Sequence, residues 1–386
     1  MSAALGVRGS VAPGFDAVAD AFAEVVAGSR GGAAFSVVRG GEPLVELHGG
    51  LADPDTGRPW DDGTVAVLFS GTKGLVATAC AAVAGRLDPD APVTRFWPEF
   101  GAAGKAGITV AQVLSHTAGL PYVDPEPDPV STLDDRFGAA ALARQAPLWA
   151  PGTGVAYHAL TWGHLVAELL RRAAGDDPRR VVEDVVARVP GARVFLASAP
   201  PPPARIVRAP GYRISTFLQD PDRRRTVERM YRVLLGGSGA GAGTVPSGGP
   251  GRKDLVNTPA WYRSGALAGA AVAGAPAVAR VYAALVDPAR SPVPAAALAR
   301  ATRVHAEGLD AVNDRPLRFG LGYELADPIG TYGPEPEAFG HSGAGGGRHG
   351  AWPERGIGFS FLTNEMRAED ADDRASTLLG ALHACL

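Results

Sequence analysis

Residues 68–75 (LFSGTKGL) place a serine and a lysine three positions apart at the start of an apolar segment. Residues 75–84 are apolar almost all round, which predicts a helix buried in the core rather than one on the surface. Residues three apart share a helix face and lie ~4.5 Å apart along the axis. The Lys73 amine is therefore expected within reach of the Ser70 hydroxyl.

This pair predicts nucleophilic catalysis. A serine hydroxyl is a poor nucleophile and needs an adjacent base, and a lysine in an apolar pocket can lose its proton near neutrality. The helix N-terminus also favours negative charge beside Ser70. The alternative is that Ser70 merely caps the helix and Lys73 lies on the surface. The spacing alone does not exclude this, but the apolar continuation argues against it.

Composition describes an ordinary globular protein. The chain has 386 residues, 46% of them hydrophobic and 20% charged, enough for one large domain or two closely packed ones. A net charge of −3 and a pI near 6.3 give no indication of nucleic-acid or anionic-membrane binding. Two cysteines do not form a disulfide framework, and the eight histidines show no metal-ligand spacing, so no cofactor is expected.

No targeting or spanning segment is expected. The N-terminus lacks a basic start followed by an apolar run. The most apolar later stretch, residues 265–279, is interrupted by Gly269, Gly274 and Pro276 and is too short to cross a bilayer. These features favour a cytoplasmic protein.

Strand signals lie near both ends of the chain and helical signals between them. Near the N-terminus a helix at 15–26 precedes strands at 33–38 and 43–49, joined by a hairpin signal at 39–42. The later predictions are strands at 318–325, around 339–342 and at 357–364, and a helix at 370–386. Strands from both ends can form one antiparallel sheet, so the predicted class is α+β.

The middle of the chain is predicted to be mostly helical. The helices predicted there lie at 139–146, 161–174, 178–189 and 276–286. The predicted domains are a discontinuous sheet domain (1–62 and 300–386) and a helical domain (63–299). A lid-like insertion is expected at about 190–260, between a Pro-rich and a Gly-rich run.

Three further motifs follow the Ser70 segment in order: residues 114–120 (LSHTAGL), 151–159 (PGTGVAYHA) and 340–343 (GHSG). Ser115 and His116 are adjacent and do not face each other on a helix, so a structural role is favoured for them. Together the motifs resemble the class C β-lactamase-related serine hydrolases, especially the family VIII carboxylesterases, over about residues 15–386. The resemblance implies a fold like that of β-lactamases and penicillin-binding proteins.

The resemblance also implies roles for individual residues. Ser70 would be the acylated nucleophile, and Lys73 would accept its proton or hold the network that does. Tyr157 would be the catalytic tyrosine, a general base and acid, with Tyr122 a weaker rival that lacks the Pro-Gly-Thr context. His341, Ser342 and Gly343 stand where the family has Lys-Thr-Gly on the strand lining the site. The backbone N–H groups of Ser70 and Ala344 would form the oxyanion hole.

Two departures from the β-lactamase pattern bear on the substrate. Tyr-x-Asn is replaced by Tyr157-His158-Ala159, which loses the amide. The lysine of Lys-Thr-Gly is replaced by His341, so a fixed positive charge becomes a titratable one. Both changes argue against hydrolysis of β-lactam antibiotics. The Gly-x-Ser-x-Gly elbow of α/β-hydrolases is missing from any strand-to-helix junction.

The expected activity is acyl transfer through a Ser70 acyl-enzyme, with a small-molecule carboxylic ester as donor. With water as the acyl acceptor the protein would be an esterase, and with an amine or alcohol as the acceptor it would be a transacylase. A β-lactamase or D-amino peptidase, and a catalytically idle binding module, are further alternatives. No nucleic-acid or membrane partner is expected, and the sequence does not indicate an oligomeric state.

Overall fold

The computed structural model describes residues 6–125, 127–128, 130–212 and 255–386. Most of the lid-like insertion predicted at about 190–260 therefore lies outside the described residues. None of the described helices is both long and apolar enough to cross a membrane.

The helices occupy the middle of the chain and both flanks of the sheet. In chain order they are α1 (Asp16–Ala27), α2 (Gly71–Ala82), α3 (Val110–Leu114), α4 (Asp135–Arg144), α5 (Thr161–Ala174), α6 (Pro178–Ala187), α7 (Pro259–Ser264), α8 (Ala275–Leu285), α9 (Ala295–Ala301) and α10 (Arg374–Ala384). Short 3-10 turns occur at Val93–Arg95, Pro98–Gly101, Ser131–Leu133, Leu255–Asn257, Pro353–Arg355 and Glu369–Ala371.

The strands come mainly from the two ends of the chain. They are β1 (Arg8–Val11), β2 (Gly32–Arg39), β3 (Glu42–Asp53), β4 (Arg58–Pro59), β5 (Ala66–Val67), β6 (Val194–Phe195), β7 (Val207–Arg208), β8 (Val272–Ala273), β9 (Ala306–Leu309), β10 (Pro316–Phe319), β11 (Glu324–Leu325), β12 (Phe339–Ser342), β13 (Arg348–Trp352), β14 (Ile357–Thr363) and β15 (Glu365–Met366).

One antiparallel sheet joins the two ends of the chain, as predicted. Its order is β1-β3-β2-β14-β13-β12-β11-β10-β9, with β4 added beside β3. The junction is the pairing of β2 with β14, where Phe35 lies opposite Phe361 over a seven-residue register. Elsewhere β5, β8 and β6 form a small antiparallel sheet, and β7 pairs in parallel with β15.

Helices cover the sheet because its strands are apolar on both faces. On one face α1 and α10 pack together, with Phe22 and Leu378 buried against Phe35 and Phe359. On the other face α8 crosses β14, β2 and β13. The helical region adds a large core that includes much of α2, α5 and α6.

Local signals account for several helix ends. Thr109 and Gln112 form a capping box at the start of α3. Asp177 caps α6, whose first residue is Pro178. Gly175 ends α5 with a left-handed φ of 73°, a conformation that glycine adopts without a steric penalty.

The continuous strand predicted at 318–325 is wrong. The structure has β10 and β11 instead, separated by a turn in which Gly322 adopts φ 85°. Phe319 and Glu324 then pair across this tight hairpin. The helix predicted at 139–146 also begins earlier, at Asp135, because Asp134 caps it. The proposed division into two domains stays a prediction.

The close packing of α8 on β14 gives a test of this architecture. A Cβ atom at Gly358 would overlap the Ala283 backbone nitrogen and lie 2.5 Å from the Ala279 carbonyl oxygen. We expect Gly358→Ala to lower the free energy of unfolding by ~1–3 kcal/mol because the helix must move away from the sheet. Urea denaturation measures this change.

Gly380→Ala is the matched control, since a Cβ atom at this α10 glycine meets nothing within 4 Å. It should stabilise the protein by ~0.5–1 kcal/mol through helix propensity. Equal effects of the two substitutions would contradict the packing described.

Candidate active site

Ser70 lies at a tight turn between β5 and the first residue of α2. The preceding residue, Phe69, has φ 48°, a left-handed conformation that is unusual for a bulky side chain. Its ring is buried and packs against Trp261, with the ring centroids 6.4 Å apart. Packing therefore stabilises the strained turn that presents Ser70, and such strain is commonly found at functional sites.

Lys73 is completely buried on the first turn of α2. Its Nζ lies 2.8 Å from the carbonyl oxygen of Ala159 and 2.7 Å from that of Ala268, and it donates to both. The Ser70 Oγ lies 3.2 Å from the same nitrogen. Three segments distant in sequence thus surround one amine, and the predicted contact between Ser70 and Lys73 is present.

Burial favours the neutral form of the Lys73 amine. Burial lowers its pKa from 10.5 to about 7, although the negative charge of Glu324 opposes part of that shift. A neutral amine has two N–H donors, and the carbonyl groups of Ala159 and Ala268 accept both. Its lone pair is then left for the Ser70 hydroxyl proton.

Tyr157 is half-buried beside this pair. Its ring centroid lies 5.1 Å from Lys73 Nζ, and the ring is nearly parallel to Phe319, with centroids 6.1 Å apart. The Tyr157 backbone N–H donates to the Asp310 carboxylate at 3.3 Å. Tyr122, the rival tyrosine, packs against a neighbouring small cluster that includes Ala159.

Two buried histidines hold the segment that carries Tyr157. His158 accepts the Leu120 N–H on Nε2, so its Nδ1 carries the hydrogen and donates to the Ala156 carbonyl at 2.6 Å. His116 accepts the His158 N–H on Nδ1 at 3.0 Å and packs 5.0 Å from the Tyr157 ring. Burial lowers the pKa of His158 to about 4 and that of His116 well below its usual value. His116 has structural contacts of the kind that the sequence favoured.

His341 lies on β12 with its ring fully buried, 6.1 Å from the Tyr157 ring. Its Nδ1 donates to the Ser342 carbonyl at 2.8 Å. Burial lowers its pKa to about 4, with the charge of Glu324 opposing and that of Lys73 assisting this shift. The ring is therefore neutral at pH 7, with Nε2 as an acceptor, and supplies no fixed positive charge.

Ser342 is held by a carboxylate on the neighbouring strand. Its N–H and hydroxyl donate to Glu324 at 2.9 and 3.0 Å, and Tyr332 also donates to this carboxylate. Burial would raise the pKa of Glu324, but His341, Arg315 and these hydrogen bonds hold it at about 2. The buried charge anchors the end of β12.

Gly343 and Ala344 begin the turn from β12 to β13 and lie against the Ser70 turn. A Cβ atom at Gly343 would lie 2.5 Å from the Leu68 carbonyl oxygen and 3.6 Å from the Gly71 nitrogen. Ala344 packs against the apolar cluster that contains Phe69. Among the described residues no acceptor is found for the N–H of Ser70 or Ala344.

The structure brings Ser70, Lys73, Tyr157 and His341 together, with Gly343 and Ala344 beside them. Sequence reasoning missed Glu324, because nothing in its spacing marks a carboxylate that meets Ser342 across a strand pair. It also missed the Asp310 contact to the Tyr157 backbone. Within the described ranges no three His, Cys, Asp or Glu side chains are grouped so as to hold a metal ion.

The sheet built from both chain ends and the helix that begins at Ser70 define the fold of β-lactamases and penicillin-binding proteins, as predicted. The family model described as Beta-lactamase matches residues 16–382. The chain belongs to the beta-lactamase family.

Curated relatives agree with this assignment. The chain is 30% identical to the Esterase/beta-lactamase LipL of Mycobacterium tuberculosis (strain ATCC 25618 / H37Rv) over 374 residues, covering 93% of this chain and 83% of the relative. It is 34% identical to Esterase EstB of Burkholderia gladioli over 183 residues, covering 42% of this chain and 46% of that protein.

Solved structures are similar over nearly the whole chain. A penicillin-binding protein homolog from Caulobacter crescentus superposes with a TM-score of 0.85 at 31% identity, covering 98% of this chain and 100% of that one. A family VIII carboxylesterase gives a TM-score of 0.84 at 30% identity, covering 99% and 100%.

The burial of Lys73 predicts a pH-dependent stability. Between about pH 7 and 10.5 the folded protein holds a neutral amine while the unfolded chain binds a proton, so this lysine's contribution to stability rises with pH. The free energy of unfolding of Lys73→Met, measured relative to that of wild type, should therefore be highest at or below pH 7. This difference in the free energy of unfolding, variant minus wild type, should fall by on the order of 3–5 kcal/mol by pH 10.5.

Denaturant unfolding of both proteins from pH 6 to 10 measures this difference. A difference between the two proteins that stays constant with pH would contradict a neutral buried amine.

Proposed function

We propose that the protein is a serine esterase that forms an acyl-enzyme on Ser70. The observation that carries this proposal is the placement of Lys73 Nζ, which donates to two carbonyl groups and lies 3.2 Å from Ser70 Oγ. In the neutral amine the two carbonyl groups take both N–H donors, and the lone pair is left for the Ser70 proton. A buried amine in this arrangement is a general base with a pKa near the working pH.

In acylation, Lys73 Nζ accepts the Ser70 proton as Oγ attacks the ester carbonyl carbon. The carbonyl oxygen becomes an oxyanion and takes hydrogen bonds from the N–H groups of Ser70 and Ala344. The C–O bond to the alcohol portion of the ester then breaks, and the departing alcohol oxygen takes up the proton that Ser70 lost. The Tyr157 hydroxyl is assigned the transfer of this proton, because its ring lies beside Lys73.

Deacylation reverses the roles. Water loses a proton to the same Tyr157 and Lys73 pair and attacks the acyl carbon, and Ser70 leaves with the proton returned to its oxygen. The Lys73 pKa near 7 allows the amine to act in both directions at neutral pH.

The neutral state of His341 supports uncharged esters as the substrate class. Its ring carries no fixed charge at neutral pH, and its Nε2 has a lone pair that would repel a carboxylate. A β-lactam antibiotic carries such a carboxylate, so we expect ester turnover to exceed nitrocefin turnover. Nitrocefin hydrolysis that rivals ester hydrolysis would favour a β-lactamase instead.

The relatives support an esterase. LipL is named an esterase/beta-lactamase, EstB is named an esterase, and the family VIII carboxylesterase shares the fold over the full length. A transacylase would use the same acyl-enzyme with another acceptor. Intact-mass trapping of the acyl-enzyme, followed by addition of amines, distinguishes the two acceptors.

Ser70→Ala should abolish turnover of p-nitrophenyl esters, because no other oxygen is activated by Lys73. The wild type should release a burst of nitrophenol near one equivalent if deacylation is slow. Ser115→Ala, which removes a buried hydroxyl bonded to Thr117, is the matched control and should keep its activity. Absence of a fluorophosphonate adduct on Ser70 in intact protein would favour a binding module.

With an alkyl ester, Tyr157→Phe should lower kcat/KM by ~10²–10⁴-fold, because the leaving alkoxide needs the proton that the Tyr157 relay delivers. Tyr122→Phe is the control and should stay within about twofold of wild type, because it keeps the half-buried ring and removes only a hydroxyl with no assigned role. Steady-state kinetics with the same ester decides the comparison. Equal losses in the two variants would remove Tyr157 from the mechanism.

A further inference from the structure

The ring of His349 fills the space directly beneath the Ser70 turn. His349 lies on β13 opposite His341 and is completely buried. A Cβ atom added to Gly71 would lie 2.5 Å from Cδ2 and 2.8 Å from Nε2 of this ring. Interiors packed at protein density do not accommodate such overlap without movement. Position 71, directly after Ser70, therefore requires a glycine, since the His349 imidazole occupies the space that a side chain would need.

The same ring nitrogen reaches the turn between β12 and β13. A Cβ atom at Gly347 would lie 3.3 Å from Nε2 of His349, which is tighter than ordinary van der Waals contact. That turn carries Ala344, and its Gly343 touches the backbone of residues 68–71. The His349 ring thus occupies the space beside Gly71 and Gly347, on the two turns that supply the proposed oxyanion donors.

The ring has a defined support. Its Nδ1 lies 2.8 Å from the Ser360 Oγ on β14, and the two residues are direct partners in the sheet register. Its Nε2 has no hydrogen-bond partner among the described residues. Burial, with the charges of His341 and Arg348, lowers its pKa to about 3, so the ring is neutral near pH 7.

We propose that His349 is a positioning residue: supported by Ser360, its ring holds the first turn of α2 and the Gly343–Gly347 turn at a fixed separation. The relative placement of the Ser70 hydroxyl and the N–H groups of Ser70 and Ala344 then depends on the pairing of Gly71 with His349. This inference rests on the proposed function, in which those groups act on the ester. His349 itself does not touch the reacting atoms.

A double-mutant cycle on the full chain tests the pairing, with a p-nitrophenyl ester as substrate. Gly71→Ala should lower kcat by ~100-fold with KM changed less than about threefold, because a displaced nucleophile affects the chemical step more than binding. His349→Ala should lower kcat by about tenfold through lost support. The double variant, Gly71→Ala with His349→Ala, should have a kcat at least roughly tenfold higher than that of Gly71→Ala alone. The methyl group of the new alanine at position 71 then fits the space that the His349 ring has left.

Ser360→Ala gives a second measurement. Ser360→Ala should lower kcat, as His349→Ala does. Adding it to His349→Ala should lower kcat little further, since both substitutions remove the same support. Gly380→Ala is the matched glycine control, because a Cβ atom there meets nothing within 4 Å, and it should leave kcat unchanged.

Two results would overturn the proposal. In the first, the losses in kcat caused by Gly71→Ala and His349→Ala simply multiply in the double variant. In the second, the two substitutions are coupled in thermal stability but not in kcat, which indicates a packing role alone. If Gly71→Ala does not fold, kcat values within about twofold of wild type for both His349→Ala and Ser360→Ala overturn it instead. Wild-type protein that neither turns over esters nor labels with a fluorophosphonate would overturn the proposed function and, with it, this inference.

Discussion

The burial of one lysine side chain is the constraint on which the rest of this structure depends. An ammonium group is costly in an apolar interior, and because the charge of Glu324 offsets only part of that cost, the pKa of Lys73 falls to about 7. The carbonyl groups of Ala159 and Ala268 satisfy its N–H donors. In the proposed mechanism the neutral amine then directs its lone pair to the Ser70 hydroxyl 3.2 Å away and activates it as a nucleophile.

The fold supplies these neighbours from distant parts of the chain. The helix carries Ser70 and Lys73, the segment after α4 brings Tyr157 and Ala159, and the loop before β8 brings Ala268. The sheet joins β2 to β14 and so places the β12–β13 hairpin against the Ser70 turn. The carboxylate of Glu324 accepts hydrogen bonds from Ser342 and so fixes the end of β12 beside the Ser70 turn.

The sequence predicts some of this and not the rest, for a physical reason. Ser70 and Lys73 are close because of helix geometry alone, and the class of the sheet follows from strand signals at both ends of the chain. Tyr157 and His341 were reached only through resemblance to a family, because their contacts depend on how loops and strands meet. Glu324 and His349 were missed since strand register, which no local pattern reveals, decides what each one touches. The roles of the site residues, the two-domain division and the lid-like insertion stay predictions.

The protonation state of Lys73 is the central claim, and the chain is well suited to measuring it directly. It contains three lysines, so labelling with ¹³Cε lysine gives few signals, and Lys73→Met assigns the one of interest. A pH titration by NMR should show this signal changing near pH 7, well below the 10.5 of an ordinary lysine. A Lys73 signal that titrates at or above pH 10 would contradict the account, because a charged amine has no lone pair to accept the Ser70 proton.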